Sequence, residues 1–547
     1  MQTQHQKAPA IEVGAILPSD WNHQTDVLLI VGEGASALAR PFVDYGLKRV
    51  IIMFPRPLSP EPAPPGCTIV CSRGELHRTL QMIGHDAANR FALLRTPNCS
   101  LSKAETEAIH EITATLLKRK RANNHTHQEL APLWAANGLR NLSHLGKHPM
   151  VTDLKGQFND VPLIIVGAGP SLSKNIDHLR AAQGKAIIIC VARALNSLQN
   201  AGIWPDFAIS LDAYDVKSHF RSIALDRIPG VILSATSHPN LFDLNDTTLM
   251  SFSANTEAEG WMFEPADGVT EMPSGGSVSC AAMSVALHWG CNPIMVIGQD
   301  LSFGGGQFYH GSGTDGDTQA HYDKATNTWT LDGYSTDLAH TLKDQITEGG
   351  LKFSGTEVPG YFGGTVPTNS AFASFRTWFE LTALDEAGRT TMLNCTEGGA
   401  HIGGMKHIPL SVAIQDLPQR SIDVRTTLAK SCRADDKESR SSRMTEKSQA
   451  VHSNLSNTIQ YARQAVELIG KAKRKPSALA KLQAVEAKLS AAMKNTFVIS
   501  LLTQEDIRTA IAQGQRATGL ADSLNASAQL YQAVIDHAER LQRSVAE

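Results

Sequence analysis

The sequence predicts a multidomain α/β protein with an added helical part, and three observations support this prediction. An apolar run that breaks into a glycine turn and then a helix occurs twice, at Asp26–Gly34 and at Leu163–Gly169, about 135 residues apart. Short apolar segments recur between Pro205 and Gly298, as in a mostly parallel sheet. From Ser439 to Val545, apolar residues follow helical spacing.

The length of 547 residues is too great for one hydrophobic core. We expect residues 1–135 to form a Rossmann-like N-terminal α/β module with a helical connector. Residues 136–408 would form a central α/β domain, and residues 409–547 an all-helical C-terminal domain.

Charge and cysteine content exclude several classes of protein. Fifty basic and 53 acidic residues give a net charge of −3, so no overall field attracts nucleic acid or an anionic membrane. The eight cysteines include no C-x-x-C pair, which fits a reducing compartment. The polar N-terminus lacks a signal core, and no apolar run approaches the roughly 20 residues that span a bilayer. We therefore expect a cytoplasmic protein without membrane insertion.

The N-terminal module begins with a predicted strand and glycine turn over Asp26–Gly34. A helix over Ala35–Tyr45 and a second strand over Arg49–Phe54 would follow. Ser102–Ala135 is polar and helix-favouring, which predicts a helical connector. Its basic cluster Lys118–Arg121 fits a solvated helix face, because the charges are few.

In the central domain, the second glycine turn precedes a predicted helix over Ile176–Ala182 and a strand over Ala186–Val191. Further predicted strands are Phe207–Leu211, Val231–Ser234, Leu249–Phe252 and Ile294–Ile297. We then expect a flexible loop over Gly304–Asp317 and a small hairpin over Tyr322–Tyr334.

The C-terminal part carries two apolar stripes at helical spacing. They are formed by Leu455, Ile459, Ala462, Val466 and Ile469, and by Leu482, Val485, Leu489 and Met493. Such stripes fit either an ordinary helical core or a groove that receives a partner helix. Pro476 predicts a new helix after a turn, and the charged, serine-rich segment Ser431–Gln449 predicts a mobile linker.

The glycine turn at Gly167, Gly169, Pro170 and Ser171 has the residue types of an anion-binding loop. Two glycines remove side chains that would block a phosphate, and the unpaired N–H groups of the following helical turn would point at it. No Gly-Lys-Ser/Thr follows, so the turn is a variant of the dinucleotide fingerprint and not a Walker loop. It predicts a phosphorylated ligand.

Two polar residues lie near the ends of the next predicted strands. Asp212 follows the strand at Phe207–Leu211, where a carboxylate can bind ribose hydroxyls, hold a metal or abstract a proton. Asn196 lies at a predicted helix start and can supply an amide to a base or sugar. Both residue types also serve as helix or turn caps.

A second candidate anion site precedes an alanine-rich helix. Ser274, Gly275, Gly276 and Ser277 combine hydroxyls with a glycine-permitted backbone at a helix start. The alternative is capping of that helix by one serine.

A predicted buried strand ends in Gln299 and Asp300, and the loop after it carries His310. His310 is a candidate general base because a histidine titrates near neutral pH, and Asp300 could replace it or orient it. A surface histidine without a role fits the sequence equally well. Glu397 is a further candidate catalytic carboxylate, and it lies in the glycine-rich stretch Asn394–Gly404. This stretch and Pro359–Thr368 have glycines that permit close backbone approach, although both could also be simple tight turns.

Read together, these segments resemble the motility-associated factor family of flagellin glycosyltransferases. The segments that carry the resemblance are Gly-Ala-Gly-Pro-Ser-Leu172, Pro-Asp206 with Asp212, Gly-Gln-Asp-Leu301, Gly-Gly-Thr-Val366 and Asn394-Cys-Thr-Glu-Gly-Gly-Ala400. The central part also resembles the MptE-like superfamily, which includes archaeal pterin pyrophosphokinases.

The resemblance implies a central domain similar to sialyltransferases of the GT-A kind. It implies transfer of a nonulosonic acid, pseudaminic or legionaminic, from its CMP-activated form to Ser or Thr of flagellin before export. By position, the Gly167–Ser171 loop with Asn196 and Asp212 would hold CMP, while Ser274–Ser277 and Gln299–Asp300 would face the sugar. The resemblance further implies inversion at the anomeric carbon and no cofactor or obligatory metal.

The partner implied is flagellin, with or without its export chaperone, and the helical C-terminal domain would engage it. Two alternatives stay open. One is a pterin or nucleotide diphosphokinase, which would need Mg²⁺ on carboxylates such as Asp212 and Asp300. The other is a non-catalytic flagellin-binding module. The motifs do not set the oligomeric state.

Overall fold

The structure is a computed structural model that describes the chain except for residues 1–15, 56–57, 59, 83–89, 255–258, 260–261, 264–268, 270–271, 336–337, 339–345, 348–349, 421–422, 432–433, 495–506, 508, 511–512, 514–518 and 547. Two compact units make up the chain. The first is Met1–Glu129 with Phe379–Arg389, and the second is Leu130–Trp378 with Thr390–Glu547. The three domains expected from the sequence, and the two boundaries between them, stay a prediction.

The first unit is built on a four-stranded parallel sheet in the order β3-β2-β1-β4. Its strands are β1 Val27–Val31, β2 Val50–Met53, β3 Cys67–Val70 and β4 Phe91–Arg95. The helices are α1 Ala35–Asp44, α2 Arg73–Met82 and α3 Lys103–Leu145, of which the part from Leu130 belongs to the second unit. This order is that of the first four strands of a doubly wound nucleotide-binding sheet, so the Rossmann-like prediction is confirmed.

Side chains of β1 alternate between two cores, which explains why the whole strand is apolar. Val27, Leu29 and Val31 face one cluster, while Leu28 and Ile30 face the other. The predicted connector helix exists and continues to Leu145. The side chains of the predicted basic cluster Lys118–Arg121 lie outside the described residues.

The second unit contains an eight-stranded, wholly parallel sheet in the order β17-β16-β10-β5-β6-β7-β8-β9. Its strands are β5 Leu163–Val166, β6 Ile187–Val191, β7 Phe207–Ser210, β8 Gly230–Ser234, β9 Thr248–Phe252, β10 Ile294–Ile297, β16 Met392–Asn394 and β17 Lys406–His407. The central strands are fully buried, as expected for a parallel sheet covered on both faces. The predicted parallel sheet is confirmed.

The strand order reverses between β5 and β10. From β5 the chain steps outward through β6 to β9, and it then returns to place β10 on the other side of β5. In open α/β sheets, ligands bind in the crevice at the carboxyl ends of the strands at such a reversal. The glycine turn that follows β5 and the Gly298–Asp300 segment that follows β10 lie at this point of the sheet.

A second, antiparallel sheet follows the crevice loop. Its strands are β11 Gln319–Asp323, β12 Thr328–Asp332, β13 Ile346–Thr347, β14 Gly350–Pro359 and β15 Thr365–Asn369. The predicted hairpin is confirmed as β11 and β12, but it belongs to this larger sheet, because β12 also pairs with β14. Phe303, Trp329 and Leu351 are among the buried residues that form its apolar core.

The other helices of the second unit are α4 Leu172–Ala182, α5 Leu195–Asn200, α6 Val278–His288, α7 Ser370–Asp385 (to Trp378 in this unit), α8 Leu410–Ala413, α9 Val424–Ser431, α10 Ala434–Ala472, α11 Leu479–Lys494 and α12 Leu520–Ala546. The C-terminal part is helical, as predicted, and Pro476 opens the turn before α11. No helix among the described residues is long and apolar enough to cross a membrane.

The predicted linker Ser431–Gln449 is wrong, because α10 begins at Ala434 and runs through the segment. Lys, Glu and Arg are good helix formers, so a high charge does not prevent a helix. Arg440 is buried and donates two hydrogen bonds to Asp153, at 2.9 and 3.1 Å. The apolar stripes are mostly buried between α10, α11 and α12, which favours the ordinary-core alternative over an open groove.

Candidate functional site

The glycine turn after β5 is hydrogen-bonded directly to the end of β10. The Gly167 N–H donates to the carbonyl of Ile297, and the Gly169 N–H donates to the carbonyl of Gly298, each at 2.8 Å. These bonds continue the β5–β10 pairing beyond the strands. The turn and the segment after β10 therefore form one packed layer at the carboxyl edge of the sheet.

The two glycines are required by this packing. A Cβ on Gly169 would lie 2.0 Å from Asp300 Oδ2, and one on Gly167 would lie 2.5 Å from the Gly298 carbonyl oxygen. The structure gives these glycines a packing role, and the room that they leave for a phosphate stays a prediction. Their N–H groups are already bonded within the protein, and the missing side chains make room for Asp300 and Gly298.

Asp300 lies at the N-terminus of α4, where the sequence predicted a phosphate. Its carboxylate accepts a hydrogen bond from Ser171 Oγ at 2.7 Å and from the Ser171 N–H at 3.3 Å. Burial raises the pKa of Asp300 to about 6, although the bonds from Ser171 and the charge of Lys174 act in the opposite direction. Asp300 is thus an internal anion at a helix N-terminus.

Glu397, predicted as catalytic, connects two helices. Its Oε1 accepts from Asn175 Nδ2 at 2.8 Å and from the Leu410 N–H at 3.2 Å, and its backbone has a φ of 57°. Its carbonyl accepts from Lys174 Nζ at 2.8 Å. These bonds give Glu397 a structural task beside the crevice, and its catalytic role stays a prediction.

His310 lies directly against the glycine turn, because its N–H donates to the Ala168 carbonyl at 2.9 Å. Its ring Nδ1 lies 2.9 Å from Ser197 Oγ and 3.1 Å from Ser312 Oγ. If Nδ1 carries the proton and donates to a serine oxygen, Nε2 keeps its lone pair and can act as a base. Burial lowers the pKa of His310, so the neutral imidazole predominates near pH 7.

Arg193, which the sequence reading missed, occupies the neighbouring strand end. It follows β6 by two residues, forms an ion pair with Asp315 and stacks its guanidinium over Tyr309 at 4.7 Å from the ring centre. The signal was present, since Arg193 is the first charged residue after a wholly apolar strand at the carboxyl edge. The sequence does not show which residues contact Arg193, because these residues lie more than 100 positions away along the chain.

Asp212 follows β7 as predicted, and its Oδ2 accepts from Ser210 Oγ at 3.2 Å. Burial raises the pKa of Asp212, and the nearby charge of Arg193 opposes that shift. Asn196, predicted to bind the donor, directs its amide to Thr314 Oγ1 at 3.3 Å. The structure therefore brings Asp212, Asn196 and the His310 loop to one side of the crevice.

At the start of α6 the capping alternative holds for Ser277. Its Oγ accepts from the Cys280 N–H at 3.1 Å, and its own N–H donates to the Ser274 carbonyl. Gly275 and Gly276 adopt φ values of 58° and 88°, which only glycine takes readily. Ser274–Ser277 thus form a tight capping turn, and their contact with a sugar stays a prediction.

Gln299 is mostly buried, and its N–H donates to Thr396 Oγ1 at 3.3 Å. Beyond it, the Asp300 carbonyl accepts from the Ala400 N–H at 2.7 Å, and a Cβ on Gly399 would lie 2.1 Å from that oxygen. The glycine-rich stretch after β16 therefore packs against the segment after β10. A glycine at position 399 is needed for this close backbone contact.

Residues 136–306 match the family model described as 6-hydroxymethylpterin diphosphokinase MptE-like. An uncharacterized protein of Treponema pallidum (strain Nichols) is 32% identical over 107 residues, which are 19% of this chain and 50% of that protein, so the match spans half of that relative.

The solved structure of the MAf glycosyltransferase from Magnetospirillum magneticum AMB-1 aligns with 96% of this chain and 79% of that chain, at 16% identity and a TM-score of 0.43. At that score the likeness does not by itself establish a shared fold. The family match covers the glycine turn, Arg193, Asp212 and Asp300, and it ends shortly before His310. The chain therefore contains an MptE-like domain, as its resemblance implied.

Proposed function

We propose that the chain is a glycosyltransferase of the motility-associated factor kind. It would move a nonulosonic acid from a CMP-activated donor to Ser or Thr of flagellin in the cytoplasm. The observation that carries the proposal is the crevice at the reversal point of the sheet, where His310 lies against the glycine turn. The MptE-like domain and the ordered family motifs support it.

The donor phosphate needs positive charge, and the turn N–H groups of Gly167, Gly169 and Ser171 are already bonded. Lys174 in the first turn of α4 is a suitable group, since its charge acts on Asp300 beside the turn. Its ammonium is held by the Glu397 carbonyl at 2.8 Å and lies 5.7 Å from the centre of the Phe362 ring. In this proposal Lys174 and the N-terminal dipole of α4 stabilise the leaving CMP phosphate.

The acceptor hydroxyl must lose its proton as the sugar arrives. His310 Nε2 would accept it, since Nδ1 is engaged by serine hydroxyls and the lowered pKa keeps the ring neutral. The bond from the anomeric carbon to the phosphate oxygen breaks and the bond to the acceptor oxygen forms. The expected product is the inverted glycoside.

The acceptor surface is a further part of the proposal. A cavity of about 390 Å³ lies beside α10 and α12, and it is lined by Ser456, Ile459, Gln460, Arg463, Gln464, Glu467 and Gln542. Polar and charged side chains lie beside Ile459 in this lining, so flagellin would be bound there through apolar contacts together with hydrogen bonds and charge.

The test mixes the full chain, CMP-activated pseudaminic or legionaminic acid and flagellin, and follows modified flagellin by mass spectrometry. We expect His310→Ala to abolish transfer while CMP affinity, measured by calorimetry, is kept. The control His321→Ala changes a solvent-exposed histidine on β11 and should leave transfer unchanged. Full activity of the His310 variant would remove the base role.

The description of the matched family favours a second candidate, a pterin or nucleotide diphosphokinase. That reaction needs Mg²⁺, yet Asp212 and Asp300 follow strands separated by β5 and β6. Three inter-strand spacings amount to roughly 14 Å, too far for both carboxylates to ligate one ion.

Titration with CMP, CTP and ATP, each with and without Mg²⁺, separates the candidates. Tight Mg²⁺-dependent ATP binding would favour the kinase. Flagellin capture without any CMP binding would favour a non-catalytic binding module.

A further inference from the structure

One face of the turn after β6 contacts the loop that carries His310. Arg193, Asn196 and Ser197 have the spacing i, i+3 and i+4, so their side chains point in a common direction. Arg193 pairs with Asp315, Asn196 Nδ2 donates to Thr314 Oγ1 at 3.3 Å, and Ser197 Oγ lies 2.9 Å from His310 Nδ1. Every residue of this face thus has a partner in residues 310–315.

The two segments are also in close backbone contact. The Thr314 N–H donates to the Arg193 carbonyl at 3.3 Å. A Cβ on Gly313 would lie 3.0 Å from Ser197 Oγ and 3.3 Å from that carbonyl oxygen. A side chain at position 313 would therefore be tightly packed against this face, and the glycine avoids that crowding.

The Arg193–Asp315 ion pair is the buried part of this contact. The side chain of Arg193 is 13% exposed and that of Asp315 is 0% exposed. Asp315 has a φ of 60°, and its Oδ1 is buried without a hydrogen-bond partner among the described residues. A carboxylate in that position is costly without its cation, so the seated loop depends on Arg193.

We propose that the Arg193–Asp315 ion pair positions His310 against the glycine turn, which makes Arg193 a positioning residue and not a contact of the donor phosphate. The kinetic part of this inference rests on the proposed function, since it takes His310 as the base. The structural part concerns the seating of residues 304–317 and does not require any particular reaction.

The primary test is hydrogen–deuterium exchange of the full chain, read on peptides that cover residues 304–317. The variants are Arg193→Met, Asp315→Asn and the double variant, with Arg193→Lys as the conservative change. We expect each single variant to speed exchange in these peptides by about tenfold or more. Exchange in the double variant should be no faster than in either single variant. Arg193→Lys should exchange more slowly than Arg193→Met, because it keeps the positive charge.

A matched control exists at the opposite edge of the sheet. Arg420 donates two hydrogen bonds to Asp206, which precedes β7, and both side chains are similarly buried. Arg420→Met should leave exchange of residues 304–317 unchanged. If it speeds exchange there as much as Arg193→Met does, the effect is general destabilisation and the proposal is wrong.

Calorimetry with CMP adds an independent readout. Asp315→Asn and Arg193→Met should both keep CMP affinity, and in a transfer assay both should lower kcat more than they change KM.

Unchanged exchange in Asp315→Asn would overturn the proposal. Loss of CMP binding in Arg193→Met but not in Asp315→Asn would also overturn it, because Arg193 would then contact the ligand. If the wild-type chain binds no CMP and transfers no sugar, the proposed function fails while the exchange experiment still decides the seating.

Discussion

Asp300→Asn removes a buried negative charge that lowers the free energy of unfolding. In the folded chain the pKa of Asp300 is raised from 3.8 to about 6, because the carboxyl is buried. The folded state therefore binds the proton more tightly than the unfolded state does. Stability is greatest below the unfolded pKa and falls as pH rises through about 4 to 6.

The shift of about two units corresponds to about 3 kcal/mol at neutral pH, at about 1.4 kcal/mol per unit. Asn keeps the shape of Asp300 and can accept the hydrogen bond from Ser171 Oγ. We expect Asp300→Asn to stabilise the second unit by about 2–3 kcal/mol at pH 8. The gain should shrink by about 1.4 kcal/mol at pH 5, where the wild-type carboxyl is mostly protonated.

Urea unfolding of wild type and variant, followed by circular dichroism at several pH values between 5 and 8, measures this difference. Asp323→Asn is the control, because hydrogen bonds from Thr326 and the Ala325 N–H lower the pKa of this exposed carboxyl. It should give no gain at any pH in this range. A variant at position 300 that is less stable than wild type at pH 8, or a gain that does not vary with pH, would refute the reasoning.

Four further outcomes are expected. Gly169→Ala should destabilise by about 1–3 kcal/mol in urea unfolding because its Cβ meets Asp300, whereas Gly470→Ala, with open space in helix α10, should stabilise by about 0.5–1 kcal/mol. Arg440→Met should cost about 3 kcal/mol, since it leaves a carboxylate beside α10 without its cation. If His310 is the base, the midpoint of the acidic limb in the pH profile of kcat/KM should lie below pH 6.5, because burial lowers the pKa of His310. A midpoint above pH 7 would contradict this. Calorimetry should show Asp300→Asn binding CMP more tightly than wild type, by a ratio that grows as pH rises through about 6.

The sequence predicted the parallel sheets and the edge at which the site lies, because buried strands and the glycine turns between strand and helix are local signals. Asp212 was located by the same rule, since it follows a strand end. The contact between Gly169 and Asp300 joins residues 131 positions apart, so it depends on the pairing of β5 with β10. No local pattern reports that pairing, so the packing role of the glycines could not be predicted, while their role toward a phosphate stays a prediction.

Two other features of the structure could not be predicted for the same reason, since they depend on contacts between distant parts of the sequence. The strand β14 contains Ser354 and Gly355 and lacks a clean alternation of apolar residues, so it is recognised only through its partners β12 and β15. The start of α10 is highly charged, and its fixed position depends on Arg440 reaching Asp153, which is 287 residues away. Removal of residues 439–547 would delete that ion pair, so a truncation meant to test flagellin binding would also leave Asp153 without its cation.

The two sides of the crevice differ in their charged groups. On the β5–β10 side, Asp300 occupies the N-terminus of α4 and only Lys174 supplies a cation beside it among its described charge partners. On the β6–β7 side, Arg193 is neutralised by Asp315, and Asp212 stays in a setting that favours its protonated form. A phosphate that binds on the β5–β10 side lies at the same helix N-terminus as the Asp300 carboxylate, and the two negative charges repel each other. Phosphate binding and protonation of Asp300 therefore favour each other. The same carboxyl that fixes the glycine turn therefore opposes an anion at neutral pH, and a donor that carries a single phosphate charge meets less of this opposition than a nucleoside triphosphate does.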